Sequence, residues 1–299
     1  MSSGHPPYVS VIVPVYNDRE RLTRCLEALA KQTYPTDHYE IVVVDNGSDE
    51  PVQPLVQRFE SVILGHESRP GSYAARNRGL EMARGDVLAF TDADCIPHPE
   101  WMEAGVRCLT KTKDCGLVGG SVQLIFQNPD CLSPTEKHQK LTAFSQQDYI
   151  REGHYSVTAN LFTHRRVLED VGPFNASLKS SGDMEWGRRV HRAGYNQRYC
   201  AEAIVEHPAR QTLREVCRKE ARVFGGQYEL RARDRGLLYN LARAFWMARP
   251  PISFLREMLS APHFDSPTDR VEVLLVELTR RLVWVREQLR LTFGGEPYR

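Results

Sequence analysis

Four short apolar runs constrain this chain most: residues 9–15 (VSVIVPV), 39–44 (YEIVVV), 62–64 and 87–90. Rich in Val and Ile and too short for buried helices, they predict strands. Between them, residues 20–32 place Leu22, Cys25, Leu26 and Leu29 at helical spacing behind Asp18 as an N-cap, and residues 74–84 predict a second helix. Strand and helix alternating at this interval predict an α/β fold, Rossmann-like, with a mostly parallel sheet flanked by helices. The near-continuous apolar character of the strands agrees, because helices on both faces would bury them twice. Pro14 predicts that the first strand stops close by.

Beyond Pro97 the regularity drops. Residues 100–111 predict a helix, 117–126 a strand and 128–134 a turn-rich break, while 168–174 and 184–193 predict further elements around a loop. Residues 214–233 predict a helix interrupted by Gly225 and Gly226. Residues 237–247 predict another, stopped by Pro250 and Pro251. The last, 271–291, sets Leu274, Leu275, Leu278, Leu282, Val285 and Leu289 on one face. Charge divides the chain at the same place. Pro208–Arg299 holds 17 Lys/Arg against 11 Asp/Glu, a balance of +6, whereas the residues before it hold 22 against 27, a balance of −5. The expected organisation is therefore a catalytic or binding domain over 1–207 and a basic helical extension over 208–299.

The 299 residues are 41% hydrophobic and 26% charged, which excludes a disordered or fibrous chain. A net charge of +1 offers no polybasic surface for nucleic acid. No run of 18 apolar residues predicts a transmembrane helix, and residues 1–8 lack the pattern of a secretory signal. Seven scattered cysteines, with no Cys-x-x-Cys pair, predict reduced, buried thiols. A cytoplasmic location is expected, with peripheral attachment at the inner membrane face left open.

In open parallel sheets ligands bind beyond the carboxyl ends of the strands. Here two such ends carry acids: Asp45 opens Asp-Asn-Gly-Ser-Asp, and Thr91-Asp92-Ala93-Asp94 follows the fourth strand. In extended chain, residues two apart point the same way. Asp92 and Asp94 would then aim at one site, where a hard divalent ion, Mn²⁺ or Mg²⁺, would offset their repulsion.

Four segments then fall in a characteristic order: Val11-Ile-Val-Pro-Val-Tyr-Asn17, Val43-Val-Asp-Asn-Gly-Ser48, Arg69-Pro-Gly-Ser-Tyr-Ala-Ala-Arg-Asn77 and Phe90-Thr-Asp-Ala-Asp94. In this the chain resembles family-2 glycosyltransferases of the GT-A fold, a likeness that continues more weakly to about His207. The resemblance implies transfer of a sugar from a nucleotide-diphosphate donor to an acceptor hydroxyl, with Mn²⁺ or Mg²⁺ and with inversion. It implies that Pro14, Tyr16 and Asn17 line the nucleoside pocket and that Asp45 hydrogen-bonds the base or ribose. It places Arg76 and Asn77 near the diphosphate or as braces of the donor loop, and Asp92, Ala93 and Asp94 at the nucleotide and metal, with His207 completing the metal site. Uridine donors fit the resemblance best.

An inverting transfer needs a carboxylate to take the acceptor proton. Ser180-Ser-Gly-Asp-Met-Glu-Trp186 resembles the family segment that carries this base, which makes Asp183 the candidate and Glu185 the runner-up. The family's usual Glu-Asp pair is Gly182-Asp183 here, a departure that bears on acceptor contacts. Thr158, Asn160 and Trp186 resemble positions lining the acceptor and donor-sugar region. The Gln-x-x-Arg-Trp pattern of processive synthases is missing from the sequence, which favours single addition.

The expected partners are a nucleotide-sugar donor and a carbohydrate, small-molecule or lipid-linked acceptor. The arginine-rich C-terminal helices leave membrane contact or a homodimer as alternatives. Two other functions compete: a non-catalytic sugar-nucleotide-binding scaffold, which the Gly182 departure would suit, and a sugar-phosphate nucleotidyltransferase. The latter usually carries a Gly-rich basic loop where this chain has Pro14-Val-Tyr-Asn-Asp18.

Overall fold

A computed structural model describes residues 5–231, 235–261, 264 and 266–298. In chain order the elements are β1 (Val9–Val15), α1 (Arg19–Leu29), β2 (Tyr39–Asp45), α2 (Gln53–Val56), β3 (Val62–His66), α3 (Ser72–Met82), β4 (Val87–Thr91), β5 (Ile96–Pro97), α4 (Trp101–Lys111) and β6 (Cys115–Ile125). There follow α5 (Pro134–Thr142), α6 (Gln146–Gly153), β7 (Asn160–His164), α7 (Arg165–Val171), α8 (Gly182–Arg192), β8 (Asn196–Pro208), α9 (Leu213–Arg231), α10 (Leu237–Met247), α11 (Ile252–Ser260) and α12 (Pro267–Thr292).

The chain divides into two units. The first comprises Met1–Gln123, Phe144–Ser177 and Gly182–His207; the second comprises Leu124–Ala143, Leu178–Ser181 and Pro208–Arg299. A single cut at 207/208 thus describes one boundary, while two earlier segments group with the C-terminal helices.

The first unit carries a mixed eight-stranded sheet in the order β3-β2-β1-β4-β7-β6-β8-β5. Its first four strands pair in parallel. Beyond β4 the sheet changes hand: β7 runs antiparallel to β4 and β6, and β5 antiparallel to β8. This antiparallel half extends the parallel portion that periodicity anticipates. The core is packed from β1, β2 and β4 against α1 and α4, with Leu22, Leu26, Leu29, Trp101 and Leu109 fully buried. Pro14 is tolerated because β4 pairs with β1 only as far as Ile12, so the missing N–H lies beyond that ladder.

The second unit is helical. Gly225 and Gly226 do not interrupt α9, which runs unbroken from Leu213 to Arg231; residues 232 and 233 of the expected helix lie outside the described residues. The glycines serve close approach instead. A Cβ at Gly226 would stand 2.3 Å from the Ser180 carbonyl oxygen, and one at Gly225 would meet Pro297 at 2.9 Å. Inside this unit Glu277 of α12 accepts hydrogen bonds from Arg280 and Arg281 and pairs with His138 of α5 at 3.1 Å. Of the cysteines, Cys25, Cys95, Cys115 and Cys200 are buried, but Cys131 is exposed.

Candidate active site

Because β1, β2, β3 and β4 are parallel, the loops after Val15, Asp45, His66 and Thr91 leave from the same edge of the sheet. Side-chain hydrogen bonds tie these loops together. The Asn17 amide donates to Asp49 at 2.7 Å and accepts from the Asp49 backbone at 2.8 Å, and the Asn17 N–H donates to Ser48 Oγ. Asp45, half-buried at the end of β2, accepts from the Ser48 N–H at 3.0 Å. Asn46 donates to the carbonyls of Glu67 and Arg69 and accepts from the Gly71 N–H at 2.7 Å. Gly71 itself opens α3 at φ 131°, a conformation that favours glycine. Tyr16 projects into solvent at 62% exposure, available for contact with a ligand ring.

The two acids after β4 take different partners. The Cys95 N–H donates to the Asp92 carbonyl at 3.0 Å, so the chain turns rather than staying extended. Asp92 is drawn to Arg76 of α3, which donates to it through Nη2. Asp94 instead lies 3.5 Å from His207 Nε2 and 4.0 Å from Arg21. Among the described residues the group with metal-binding spacing is Asp94, Cys95 and His207, their ligand atoms all within 4.8 Å, and Asp92 lies outside this group. A carboxylate and an imidazole suit Mn²⁺. Cys95 is fully buried, and desolvation pushes its thiol well above its ordinary pKa, which leaves it a protonated neighbour rather than a partner for a hard ion. His207 is 5% exposed, its ring against Phe144, so its position is set by packing.

Arg76 is almost wholly buried, and its Nε has no hydrogen-bond acceptor among the described residues. A desolvated guanidinium with a donor to spare is a natural phosphate contact. Asn77 braces the backbone: its amide donates to the Phe174 carbonyl at 2.7 Å and accepts from the Phe174 N–H. Ala93 is buried inside the turn.

Asp183 sits in the first turn of α8, where the helix dipole favours an anion. It is half-buried, and desolvation raises its pKa above the usual carboxylate range. The Met184 N–H at 2.9 Å, the positive charge of Arg76 and a hydrogen bond from Tyr73 oppose that rise, while Asp92 adds to it. The Tyr73 hydroxyl donates to Asp183 Oδ1 at 3.1 Å. Gly182 has a packing cause in the same residue: a Cβ there would lie 2.7 Å from the Tyr73 ring, so Glu or Ala would force the ring to shift.

Three further candidates take structural roles. Asn160 is fully buried; it accepts from Trp101 Nε1 at 2.8 Å and donates to the carbonyls of Ser121 and Ala203. No group of it remains for an acceptor. Trp186 is likewise fully buried; it donates to the Gly172 carbonyl and packs on Phe174, so it offers no face to a sugar. Glu185 is engaged by Arg189 at 2.8 Å. Thr158 is buried at 4% exposure. Sequence reasoning passed over Tyr73, although it lies inside the quoted Arg69–Asn77 segment and one turn before Arg76, on the same face of α3. It also passed over Asn46, Cys95 and Arg21.

Against known proteins, the sequence model of Glycosyl transferase family 2 matches residues 10–172, more than half the chain and all of the strand-end loops. The chain belongs to that family. Glycosyltransferase AglE of Haloferax volcanii is 39% identical over 266 residues, spanning 87% of this chain and 84% of that protein. The enzyme is a glycosyltransferase. Among solved structures, a mannosyltransferase of Pyrobaculum calidifontis in complex with GDP-Man and Mn²⁺ superposes with a TM-score of 0.66 at 18% identity, covering 98% of this chain and 89% of that one. GalNAc-T7 with UDP, GalNAc and Mn²⁺ gives a TM-score of 0.55 at 17% identity over 68% of this chain and 43% of that one. These likenesses establish a GT-A-like fold for the transferase.

Proposed function

We propose that the transferase moves a single sugar, with inversion, from a nucleotide-diphosphate donor to an acceptor hydroxyl, and that Asp183 is its base. The observation that carries this reading is the Asp183 carboxyl: raised by burial, held by Tyr73, and within electrostatic reach of Arg76 and Asp92. A carboxylate of raised pKa, oriented by a hydroxyl, is suited to accept a proton near neutral pH.

In the reaction, the acceptor oxygen bonds to the anomeric carbon on the face opposite the diphosphate. The bond from that carbon to the diphosphate oxygen breaks, and its electron pair leaves with the nucleotide. The acceptor proton passes to Asp183 Oδ. Tyr73 holds the carboxylate in line, and Arg76 meets phosphate oxygens while Asp92 keeps its guanidinium in place. Asp94 and His207 would hold a divalent cation, which neutralises charge on the departing diphosphate. Tyr16, Asn17 and Asp45, with Pro14 at the end of β1, form the nucleoside side of the site.

UDP-sugars are the first donors to test and GDP-sugars the second, since the solved neighbours contain both nucleotides. A non-catalytic scaffold loses its main support once Gly182 has a packing cause. The test is a thermal-shift screen of UDP, GDP and their sugars with and without Mn²⁺, followed by nucleotide release and NMR of the product anomer. A Mn²⁺-dependent rise in midpoint for one nucleotide and an inverted product are expected. No stabilisation by any nucleotide, or a retained anomer, overturns the reading.

A further inference from the structure

Helices α10 and α11 are apolar on both sides. Their inner faces are accounted for: Met247 packs with Phe224, Tyr228 and Leu291, and Phe254 and Met258 pack with Phe264 and Val273. Their outer faces are not. Leu238 is 83% exposed, Phe245 72%, Trp246 64%, Ile252 61% and Leu259 60%. Leu238, Leu241 and Phe245 recur at helical spacing, so they form one stripe, and the four residues 248–251 separate α10 from α11. Isolated exposed hydrophobes are ordinary; so many on two successive short helices, two aromatic rings among them, mark a surface that meets something apolar.

The charge pattern says what. From 235 to 260 the chain carries four basic residues, Arg235, Arg243, Arg249 and Arg256, and one acid, Glu257. The arginines keep company with the aromatics: the Arg235 guanidinium lies 5.6 Å from the Tyr239 ring centre and that of Arg249 lies 5.9 Å from Phe245. A face of Trp, Phe, Tyr and Leu bordered by arginine matches the layered chemistry of a bilayer surface, where rings sit at headgroup depth and cations meet lipid phosphates. At 11 and 9 residues the helices are far too short to span a bilayer, which needs about 20. Among the described residues no helix is long and apolar enough to cross one.

We propose that the outer face of α10 and α11 docks the protein on an anionic membrane surface, lying in the interface without crossing it. The proposal stands apart from the assignment of the catalytic base and does not depend on it.

The test uses the full chain and large unilamellar vesicles, either phosphatidylcholine alone or an equal mixture with phosphatidylglycerol. Co-sedimentation is expected with the mixed vesicles and not with phosphatidylcholine alone, weakening as salt is added. A Leu238→Ser, Phe245→Ser, Trp246→Ser variant alters only outward side chains. It should bind at least about tenfold more weakly, and Arg235→Gln with Arg249→Gln should do the same. Trp101 and Trp186 are fully buried and Trp284 is half-buried against Glu220, so it is the loss of a vesicle-induced blue shift in Trp246→Phe that reports insertion of the Trp246 ring. The proposal is overturned if wild type ignores anionic vesicles, or if the triple variant binds equally well. It is also overturned if wild type is a dimer that the triple variant converts to monomer, because a second copy then covers the face.

Discussion

Replacing Tyr73 by Phe removes one oxygen and leaves the ring that packs against Gly182 and Phe174. What is lost is the hydrogen bond from the hydroxyl to Asp183 Oδ1 at 3.1 Å. A hydrogen bond to a charged group contributes about 1.5–3 kcal/mol. At this length, and with Asp183 only half-buried, the lower end applies. With about 1.4 kcal/mol per factor of ten, the ratio of ionised to protonated carboxyl falls roughly tenfold. The sign follows from the role. A base works ionised; burial already raises the Asp183 pKa and Tyr73 holds it down, so Tyr73→Phe moves the acidic limb of the kcat/KM profile to higher pH. On that limb the variant should be roughly tenfold slower, and at alkaline pH it should approach wild type. The assay is initial-rate release of nucleoside diphosphate across pH at subsaturating donor. Equal loss at every pH would mean that the hydroxyl matters only for packing, and an unmoved limb would refute the argument.

Asp183→Asn should lower transfer by about 10²–10⁴-fold while leaving nucleotide binding by calorimetry intact; normal turnover removes Asp183 as the base. Asp94→Ala should abolish the Mn²⁺-dependent part of nucleotide binding, whereas Asp92→Asn should preserve it; titration of both variants with Mn²⁺ and nucleotide separates them. Gly182→Ala forces a methyl to 2.7 Å from the Tyr73 ring and should cost about 1–3 kcal/mol in unfolding free energy, read from urea denaturation. Glu277 is 1% exposed, and although burial alone would raise its pKa, His138, Arg280 and Arg281 together hold it down at about 2 against an ordinary 4.5. Its stabilisation is therefore complete above the ordinary value and lost as pH falls toward 2. Glu277→Gln should cost about 3–5 kcal/mol at neutral pH and flatten this acid dependence in equilibrium unfolding.

The parallel half of the sheet was legible because its strands are apolar on both faces and end in Asp45 and Asp92, so pattern and punctuation agree. Of the antiparallel half only β6 was legible, as the strand expected over 117–126. In β7, Asn160 and Thr163 interrupt the apolar run, and both are buried because hydrogen bonds satisfy them, which no local pattern reveals. Helices α5 and α6 carry mostly polar residues, and α11 is a nine-residue helix directly after two prolines. Such segments fold because tertiary burial outweighs weak local preference.

The sequence by itself determined which residues reach the strand ends and what chemistry their types allow. Residue order along the backbone decides that Asp94, Arg76 and Asp183 belong to loops and helix starts rather than to the core. Tertiary structure alone decided the partnerships. A turn at Asp92 sends two neighbouring acids to Arg76 and to His207. A ring from α3 both supports Asp183 and crowds any side chain at Gly182. Burial turns Trp186 and Asn160 from candidate sugar contacts into framework. Distance and desolvation are properties of the packed chain, and one-dimensional spacing carries neither.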